Sequence, residues 1–229
     1  MSLSKIYQQI KNGFRVYRDL AKIGYRPWQK LVIFDVGSNN GTAFCHMPHW
    51  CFRSQFYAFE PTPSLVAFQQ QFYGRFANYH IIPQAVGENP GRMSFNVAGQ
   101  ADWGCSSLLE FSEGLDATCP DRIDFKVTEK IDVEVVRLDT FIKKNNILRI
   151  DFLHIDTQGT DLSVLRSLGD TIQCVQSGEI EVPGDNEFLL YKNQHTREEA
   201  LDFLRSNGFE IWKIEPSWVR EDNVFFRRN

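Results

Sequence analysis

The sequence has no C-x-x-C pair, although it contains five cysteines. Structural zinc sites usually need such a pair, and a disulfide framework needs an even number of cysteines at regular spacing. Neither kind of site is predicted, so we expect a reduced chain in the cytoplasm. No metal ligand is assigned, although a divalent cation held by Asp156 and Glu181 stays open as an alternative.

Two further absences concern membranes and nucleic acids. No apolar run approaches the roughly 20 residues that a membrane-spanning helix needs, and the first residues do not form a signal peptide. Lys and Arg number 25 against 29 Asp and Glu, which gives a formal net charge of −4, whereas a phosphate-binding surface needs a basic excess. We therefore expect neither stable membrane insertion nor general nucleic-acid binding.

Residues 1–30 are predicted to form an amphipathic helical segment that precedes the main domain, residues 31–229. Ile6, Ile10 and Phe14 follow helical spacing, and Lys and Arg residues occupy another face of the same helix. Such a helix can dock on its own domain, which we favour, or lie on a membrane surface or an acidic partner. The opening MSLSK resembles the remnant of an expression tag, which is compatible with one domain taken from a longer polypeptide.

What the sequence does contain is an alternation of apolar strands with helical segments. Strands are predicted at 31–37, 55–61, 79–87, 91–97, 149–156 and 174–183, followed by a closing antiparallel pair in FEIWKIEP and NVFFRRN. We expect a helix between the first strand and Pro48, and a long functional loop at 100–130. This order predicts an α/β fold, a doubly wound Rossmann-like sheet that is mostly parallel and has an antiparallel C-terminal edge strand.

The stretch VIFDVGSNNG, residues 32–41, predicts a ligand site at the end of the first strand. It lacks the G-x-G-x-x-G pattern of dinucleotide sites, and the chain has no phosphate-binding G-x-x-x-x-G-K-[ST] loop. A cationic ligand without phosphates, S-adenosylmethionine, fits better. Asp35 is expected to take its ammonium group, and Glu60, which ends the second strand, to take its ribose hydroxyls. Free amides in the turn are expected to meet its carboxylate; the turn residues are Gly37, Ser38, Asn39, Asn40 and Gly41.

Seven motifs between about residue 32 and residue 183 resemble the FkbM-type methyltransferases. In order they are FDVGSNNG, YAFEPTPSL, IIPQAVGENPGRMSF, GCSSLL, VVRLDTFI, FLHIDTQGTDLSVLRSL and GEIEVP. The resemblance implies a class I methyltransferase fold, S-adenosylmethionine as the methyl donor and O-methylation of a sugar or natural-product hydroxyl. It also implies that the turn and Glu60 hold the cofactor, that Ala85 flanks the adenine, and that Ser106 and Ser107 lie near the cofactor. His154 stands where the family usually has lysine and Gln158 where it usually has glutamate, so the roles of those residues do not carry over.

Methyl transfer to an alcohol needs a group that takes the hydroxyl proton. Asp156 is the first candidate, with a helix N-cap or a cofactor contact as its alternatives. His154 shares a strand face with Asp156 and is either a base held by that acid or a hydrogen-bonded core residue. Glu181 and Trp103 are candidates for acceptor binding, through sugar hydroxyls and ring stacking respectively, or else they are structural.

The function predicted from these residues is an S-adenosylmethionine-dependent O-methyltransferase. Its acceptor is expected to be a hydroxyl of a sugar, a glycan or a similar polyhydroxylated small molecule. Three alternatives stay open: an N- or carboxyl-methyltransferase on the same fold, a cofactor-binding module that has lost its activity, and a nicotinamide-dependent oxidoreductase. The glycine spacing disfavours the last of these.

Overall fold

The computed structural model describes residues 25–26, 28–44, 47–99, 104–115, 122, 125–184, 189–217 and 220–229. The strands within these ranges are β1 (Val32–Val36), β2 (Gln55–Phe59), β3 (Tyr79–Ile82), β4 (Ala85–Val86), β5 (Gly91–Ala98), β6 (Val127–Val136), β7 (Phe152–Ile155), β8 (Ser177–Pro183), β9 (Phe209–Pro216) and β10 (Glu221–Arg228). The helices are α1 (Met47–Trp50), α2 (Pro63–Tyr73), α3 (Leu138–Lys144), α4 (Asp161–Arg166) and α5 (Arg197–Ser206), with a 3₁₀ helix at Gly169–Cys174. The predicted helix at 4–22 lies outside the described residues, so the division at residue 30 stays a prediction.

Seven of the described strands form one sheet in the order β3-β2-β1-β7-β8-β10-β9. The first five of these are parallel to one another, whereas β10 is antiparallel to both β8 and β9. The predicted fold class, with its antiparallel C-terminal strands, is therefore confirmed. The chain order reverses between β1 and β7, and ligands of doubly wound sheets bind beside such a reversal, at the carboxyl ends of the strands.

The two faces of this sheet bury different cores because side chains alternate along each strand. On one face, Phe34 and Val36 of β1 pack with apolar residues of α3, α4 and α5. On the other face, Ile33 of β1 packs with Phe44, and with Phe152 of β7. Asp35 lies on this second face, so β1 carries a carboxylate into a layer that is mainly apolar.

The predicted strand at 79–87 is two strands that belong to different sheets. Pro83 separates β3, which pairs with β2, from β4, which pairs with β6 in a three-stranded sheet of order β4-β6-β5. A proline has no amide to donate to a strand ladder, and it restricts the residue before it. The chain therefore leaves the first sheet at this point, and β4 places Ala85 next to the ends of β1 and β2.

Two other boundaries differ from the prediction, and one signal is confirmed. Described residues after β1 form turns up to Phe44, and α1 begins only at Met47, so the expected helix up to Pro48 is wrong. The expected loop at 100–130 ends earlier, since β6 begins at Val127. The capping box of Thr196 and Glu199 is present at the start of α5. Within the described part of the chain, no helix is long and apolar enough to cross a membrane.

Candidate active site

The turn after β1 is packed so tightly that two of its glycines have no room for a side chain. Gly37 has a φ of +80°, and a Cβ there would overlap the backbone carbonyl of Asp156. Gly41 has a φ of +75°, and a Cβ there would lie 2.8 Å from the ring of Tyr73. Glycine adopts these angles without steric cost, so the turn can bring the end of β1 directly against the end of β7.

Four backbone amides of this turn donate within the chain, the first being that of Gly37, which donates to the carbonyl of Phe59. The amide of Ser38 donates to the carbonyl of Phe59, and that of Gly41 donates to the carbonyl of Ser38. The amide of Asn39 donates to Oε2 of Glu60 at 2.9 Å. The amides of Ser38, Asn39 and Gly41 are therefore not free in this structure, and contact of the turn with a ligand carboxylate stays a prediction.

The Glu60 carboxylate follows β2 and is fixed by backbone amides on both of its oxygens. Oε1 accepts from the amide of Thr62 at 2.8 Å, and Oε2 accepts from Asn39. Burial raises the pKa of Glu60 to about 7, although the hydrogen bonds from Thr62 and Asn39 act in the opposite direction. Each carboxylate oxygen keeps a second lone pair, so Glu60 has the capacity to accept two ligand hydroxyls as well.

A cleft lies at the carboxyl ends of β1, β2 and β7. Its lining combines apolar side chains with a few polar groups, as small-molecule sites usually do. The predicted site residues that line it are Gly37, Asn39, Glu60, Ala85, Ser106 and Asp156. The lining residues that the sequence did not point to are Val36, Phe59, Pro61, Gln84, Val86, Phe95, Gly104, Leu108, Thr157, Gln158 and Thr160.

The remaining predicted cofactor residues of the turn and loop lie behind the cleft lining; they are Ser38, Asn40, Gly41 and Ser107. The Ser38 hydroxyl accepts a hydrogen bond from Gln69 Nε2 at 2.8 Å. The Ser107 hydroxyl donates to the carbonyl of Gln158 at 2.6 Å. These bonds hold the turn and the cleft wall in place, and direct contact of these residues with a cofactor stays a prediction.

His154 is buried in the sheet, where its ring pairs with Asp35 on the neighbouring strand. Nδ1 of His154 lies 2.8 Å from Oδ1 of Asp35, and Phe44 packs against the ring. Burial lowers the pKa of His154, but the hydrogen bond and charge of Asp35, followed by the charges of Glu179 and Asp156, raise it to about 9 overall. The acid that holds His154 is therefore Asp35, and not Asp156 as the sequence suggested.

The same pairing leaves one oxygen of Asp35 unusual. Oδ2 of Asp35 is buried and has no hydrogen-bond partner among the described residues. Buried polar atoms without a partner are rare in native proteins, so a water or a ligand group is expected there. Contact of Asp35 with the ammonium group of a cofactor, directly or through water, stays a prediction.

Asp156 follows β7 and enters the cleft, where a glutamine amide holds it. Nε2 of Gln158 donates to Oδ1 of Asp156 at 2.7 Å and to Oε2 of Glu181 at 3.0 Å. The hydroxyl of Tyr191 lies 2.9 Å from Oε1 of Gln158 and donates to it. The N-cap position of α4 is occupied by Thr160, so the alternative that Asp156 is the cap of this helix is wrong.

Three further acids surround Asp156 at the ends of α4, β8 and β10: Asp161, Glu181 and Glu221. Burial raises the pKa of Asp161 to about 7 and that of Glu221 to about 8, and the charge of Asp156 adds to both increases. The pKa of Glu181 is also raised, by burial first and then by Asp156 and Glu221. Its Oε1 accepts from the Ser217 hydroxyl at 2.9 Å. None of these three acids lines the cleft; Asp161 and Glu181 line a smaller pocket beside it, together with Gln194 and His195.

The sequence did not identify Glu221 and Tyr191, and it gave no role to Gln158. Trp103, which was expected to stack on a sugar, lies outside the described residues. Among the residues that are described, no group of three or more His, Cys, Asp or Glu side chains is placed to hold a metal ion.

The displaced pKa values predict that the folded chain is more stable in mild acid than in mild base. Glu60 and Asp161 hold a proton in the folded state up to about pH 7, whereas their ordinary pKa values are 4.5 and 3.8. The folded state therefore binds more protons than the unfolded state, and the free energy of unfolding rises as the pH falls through 7. The pKa of His154 rises from its ordinary value of 6.5 to about 9 in the folded chain. Its contribution to the stability of the fold is therefore complete below about pH 6.5 and is lost as the pH rises through about 9.

Proton binding by Glu60, Asp161 and His154 stabilises the folded chain as the pH falls from 8.5 to 6. We expect the thermal midpoint to be higher at pH 6 by roughly 5–10 °C, since each proton is worth about 1.4 kcal/mol per pH unit. A thermal melt in buffers of equal ionic strength measures this difference. His154→Gln should reduce it, and a midpoint that is the same at both pH values would contradict the assigned protonation states.

Comparisons with known proteins agree with this architecture. The family described as "Methyltransferase FkbM domain" matches residues 35–211, which is more than half of the chain. A protein named 2-O-methyltransferase NoeI from Sinorhizobium fredii is 26% identical over 216 residues, 92% of this chain and 84% of that protein.

Two solved structures follow a similar course over most of the chain. A SAM-dependent methyltransferase from Aquifex aeolicus has a TM-score of 0.47 and 11% identity, covering 99% of this chain and 98% of that one. Fibrillarin from Aeropyrum pernix, solved with S-adenosyl-L-methionine, has a TM-score of 0.49 and 12% identity, covering 94% and 76%. On the family match, the chain belongs to the FkbM methyltransferases and is an S-adenosylmethionine-dependent enzyme.

Proposed function

We propose that this methyltransferase transfers the methyl group to a hydroxyl of a sugar, a glycan or a similar polyhydroxylated acceptor. The observation that carries the proposal is the carboxylate of Asp156, which lines the cleft and is oriented by the amide of Gln158. An alcohol acceptor has to lose its proton, and a carboxylate within hydrogen-bond reach is suited to accept it.

The cleft has the features that S-adenosylmethionine needs. Apolar side chains suited to an adenine ring come from Val86, Phe95 and Leu108, next to Ala85. Glu60 stands at the end of β2 with acceptor capacity for a ribose diol, and a carboxylate that accepts two hydroxyls forms charge-assisted bonds. We assign the cofactor to this cleft, and when bound it supplies a methyl group made electrophilic by the adjacent sulfonium.

Residues of the chain accept the proton and position the acceptor. Asp156 accepts the proton of the acceptor hydroxyl. The walls of the cleft hold that hydroxyl in line with the bond from sulfur to the methyl carbon, and much of the rate of such reactions comes from this alignment. We assign the base to Asp156 and not to His154, because the ring of His154 pairs with Asp35 inside the sheet and does not line the cleft; its raised pKa of about 9 agrees with this assignment. Its charge instead neutralises Asp35 inside the sheet.

The acids beside Asp156 support a hydroxyl-rich acceptor. The carboxyl groups of Glu181 and Glu221 lie next to Asp156, beyond the residues that line the cleft, and such groups both donate to and accept from sugar hydroxyls. The relative NoeI is named a 2-O-methyltransferase, which agrees with oxygen as the accepting atom.

A panel of mono- and oligosaccharides incubated with isotopically labelled methyl donor tests the proposal. We expect mass spectrometry to find one added CH₂ on a hydroxyl-bearing acceptor. Labelling of amines or carboxylates but of no alcohol would overturn the assignment of the acceptor. Tight S-adenosylhomocysteine binding without turnover on any acceptor would favour a module that has lost its activity.

The assignment of the cofactor predicts a specific effect of Glu60→Gln. We expect this change to weaken S-adenosylhomocysteine binding by roughly 10–100-fold, which is the loss of one or two charge-assisted hydrogen bonds. Calorimetry should also find that wild-type affinity falls below about pH 7, because the carboxylate must ionise to accept the hydroxyls, whereas the variant stays flat. Glu88→Gln, at an exposed position, is the matched control. Equal affinity in Glu60→Gln and Glu88→Gln would remove Glu60 from the cofactor site.

A further inference from the structure

Gln158 occupies a backbone conformation that few residues adopt. Its φ is +55°, and the next residue, Gly159, has a φ of +90°. A Cβ on Gly159 would lie 2.8 Å from the ring of Tyr191. The carbonyl of Gln158 is fixed by the Ser107 hydroxyl at 2.6 Å. A non-glycine residue in the left-handed region is strained and persists only where the surroundings impose it, often at functional sites.

The side chain of Gln158 is fixed as completely as its backbone. One amide hydrogen points to Asp156 at 2.7 Å, the other points to Glu181 at 3.0 Å, and the carbonyl oxygen accepts from Tyr191 at 2.9 Å. The opposite orientation of the amide would place its oxygen against the carboxylate of Asp156, which is ionised in its proposed role as the base. The donors of Gln158 are therefore directed at the two acids.

The electrostatic surroundings explain why a neutral donor is useful at this position. Several ionisable groups face Asp156 and Gln158. Those on helices and strands are His154 on β7, Asp161 on α4, Glu181 on β8 and Glu221 on β10. Those on connecting segments are Arg122, near Glu221, and Tyr191 with Cys105. Three of these seven groups are carboxylic acids. Without a donor between them, two carboxylates in one site share a proton, and one of the two is then neutral.

We infer that Gln158 is a positioning residue, whose amide holds Asp156 ionised and aimed into the cleft while separating it from Glu181. The inference rests on the proposed role of Asp156 as the base. A glutamate at position 158, the residue usual in the family, would remove both donors and bring a third carboxylate between the two acids. The glutamine is thus matched to the acids that surround it in this chain.

The test compares Gln158→Glu and Gln158→Met with the wild-type enzyme through full pH profiles of kcat. Gln158→Glu keeps the shape of the side chain and should lower kcat at pH 7 by at least about tenfold. Its activity should recover in base, because the acid limb of the profile moves up by about one pH unit or more. Gln158→Met removes the hydrogen bonds without adding charge. Its kcat should therefore fall at every pH, and the acid limb of its pH profile should shift less than that of Gln158→Glu.

Binding and stability measurements separate positioning from simple damage to the fold. S-adenosylhomocysteine affinity and the acceptor KM should stay close to wild type in both variants. Gln176→Glu, a half-buried glutamine at the opposite end of β8, is the matched control and should leave the profile unmoved.

Two outcomes have distinct meanings. A Gln158→Glu enzyme with the wild-type profile, or one whose loss of activity merely follows loss of folded protein, would overturn the inference even when Asp156→Asn is inactive. Retained activity in Asp156→Asn would instead overturn the proposed base.

Discussion

Replacing Asp156 by asparagine is expected to lower kcat for methyl transfer by about 10²–10⁴-fold, the usual contribution of a general base. Asparagine keeps the size of the side chain, and its carbonyl oxygen can still accept from Gln158. The change therefore removes proton acceptance with little change in shape. Affinity for S-adenosylhomocysteine, measured by calorimetry, and the thermal midpoint should stay close to wild type.

Asp139→Asn is the control for this substitution. Asp139 pairs with Arg137 at the start of α3, and the pKa of its carboxyl is lowered chiefly by the hydrogen bond from Arg137. Its replacement should cost some stability and leave kcat unchanged. If Asp156→Asn retains most of its activity, the acceptor does not need a base, and methylation of a carboxylate becomes the better explanation.

The cleft could be predicted from the sequence to the extent that it is built from strand ends. Apolar runs followed by a polar residue identify the ends of β1, β2 and β7, and parallel strands bring these ends to one edge of a sheet. This is why Glu60 and Asp156 line the same cleft, although 96 residues separate them in the sequence. The glycine turn was recognisable because a close approach of the backbone needs glycine.

The partner of His154 could not be predicted in the same way. Residues two apart in a strand share a face but are separated by about 6.6 Å, whereas neighbouring strands lie about 4.8 Å apart. Asp35 is the direct neighbour of His154 because β1 and β7 pair in that register. The order of strands in the sheet decides this pairing, and no local pattern contains that order.

The acids and the tyrosine around Gln158 show the same limit. Glu221 comes from β10, which inserts between β8 and β9, and Tyr191 comes from the segment before α5. Each of these residues is unremarkable in its local sequence. These residues come together only through the order of the strands in the folded sheet. The alternation of strands and helices therefore predicted the fold class, but it could not predict the hydrogen-bond network around Asp156.

Among substitutions that would add one methyl group at the cleft, we expect Gly37→Ala to reduce stability and cofactor binding the most. A residue with a side chain pays about 1–2 kcal/mol for a left-handed conformation, and forcing a methyl into a packed site costs typically 1–3 kcal/mol more. Here the obstacle is the backbone carbonyl of Asp156, which cannot rotate away as a side chain would. We expect the thermal midpoint to fall by roughly 5–15 °C and S-adenosylhomocysteine binding to be lost, because the ends of β1 and β7 must separate.

Gly114→Ala distinguishes the two contributions. Gly114 has the same φ of +80°, but no described heavy atom lies within 4 Å of a Cβ built there. Its alanine variant should pay only the conformational cost and keep normal S-adenosylhomocysteine binding. Equal thermal midpoints and equal binding in the two variants would mean that the contact between Gly37 and Asp156 does not shape the cleft. A larger loss in Gly37→Ala, together with lost binding, would show that the meeting of β1 and β7 forms the floor of the cofactor site.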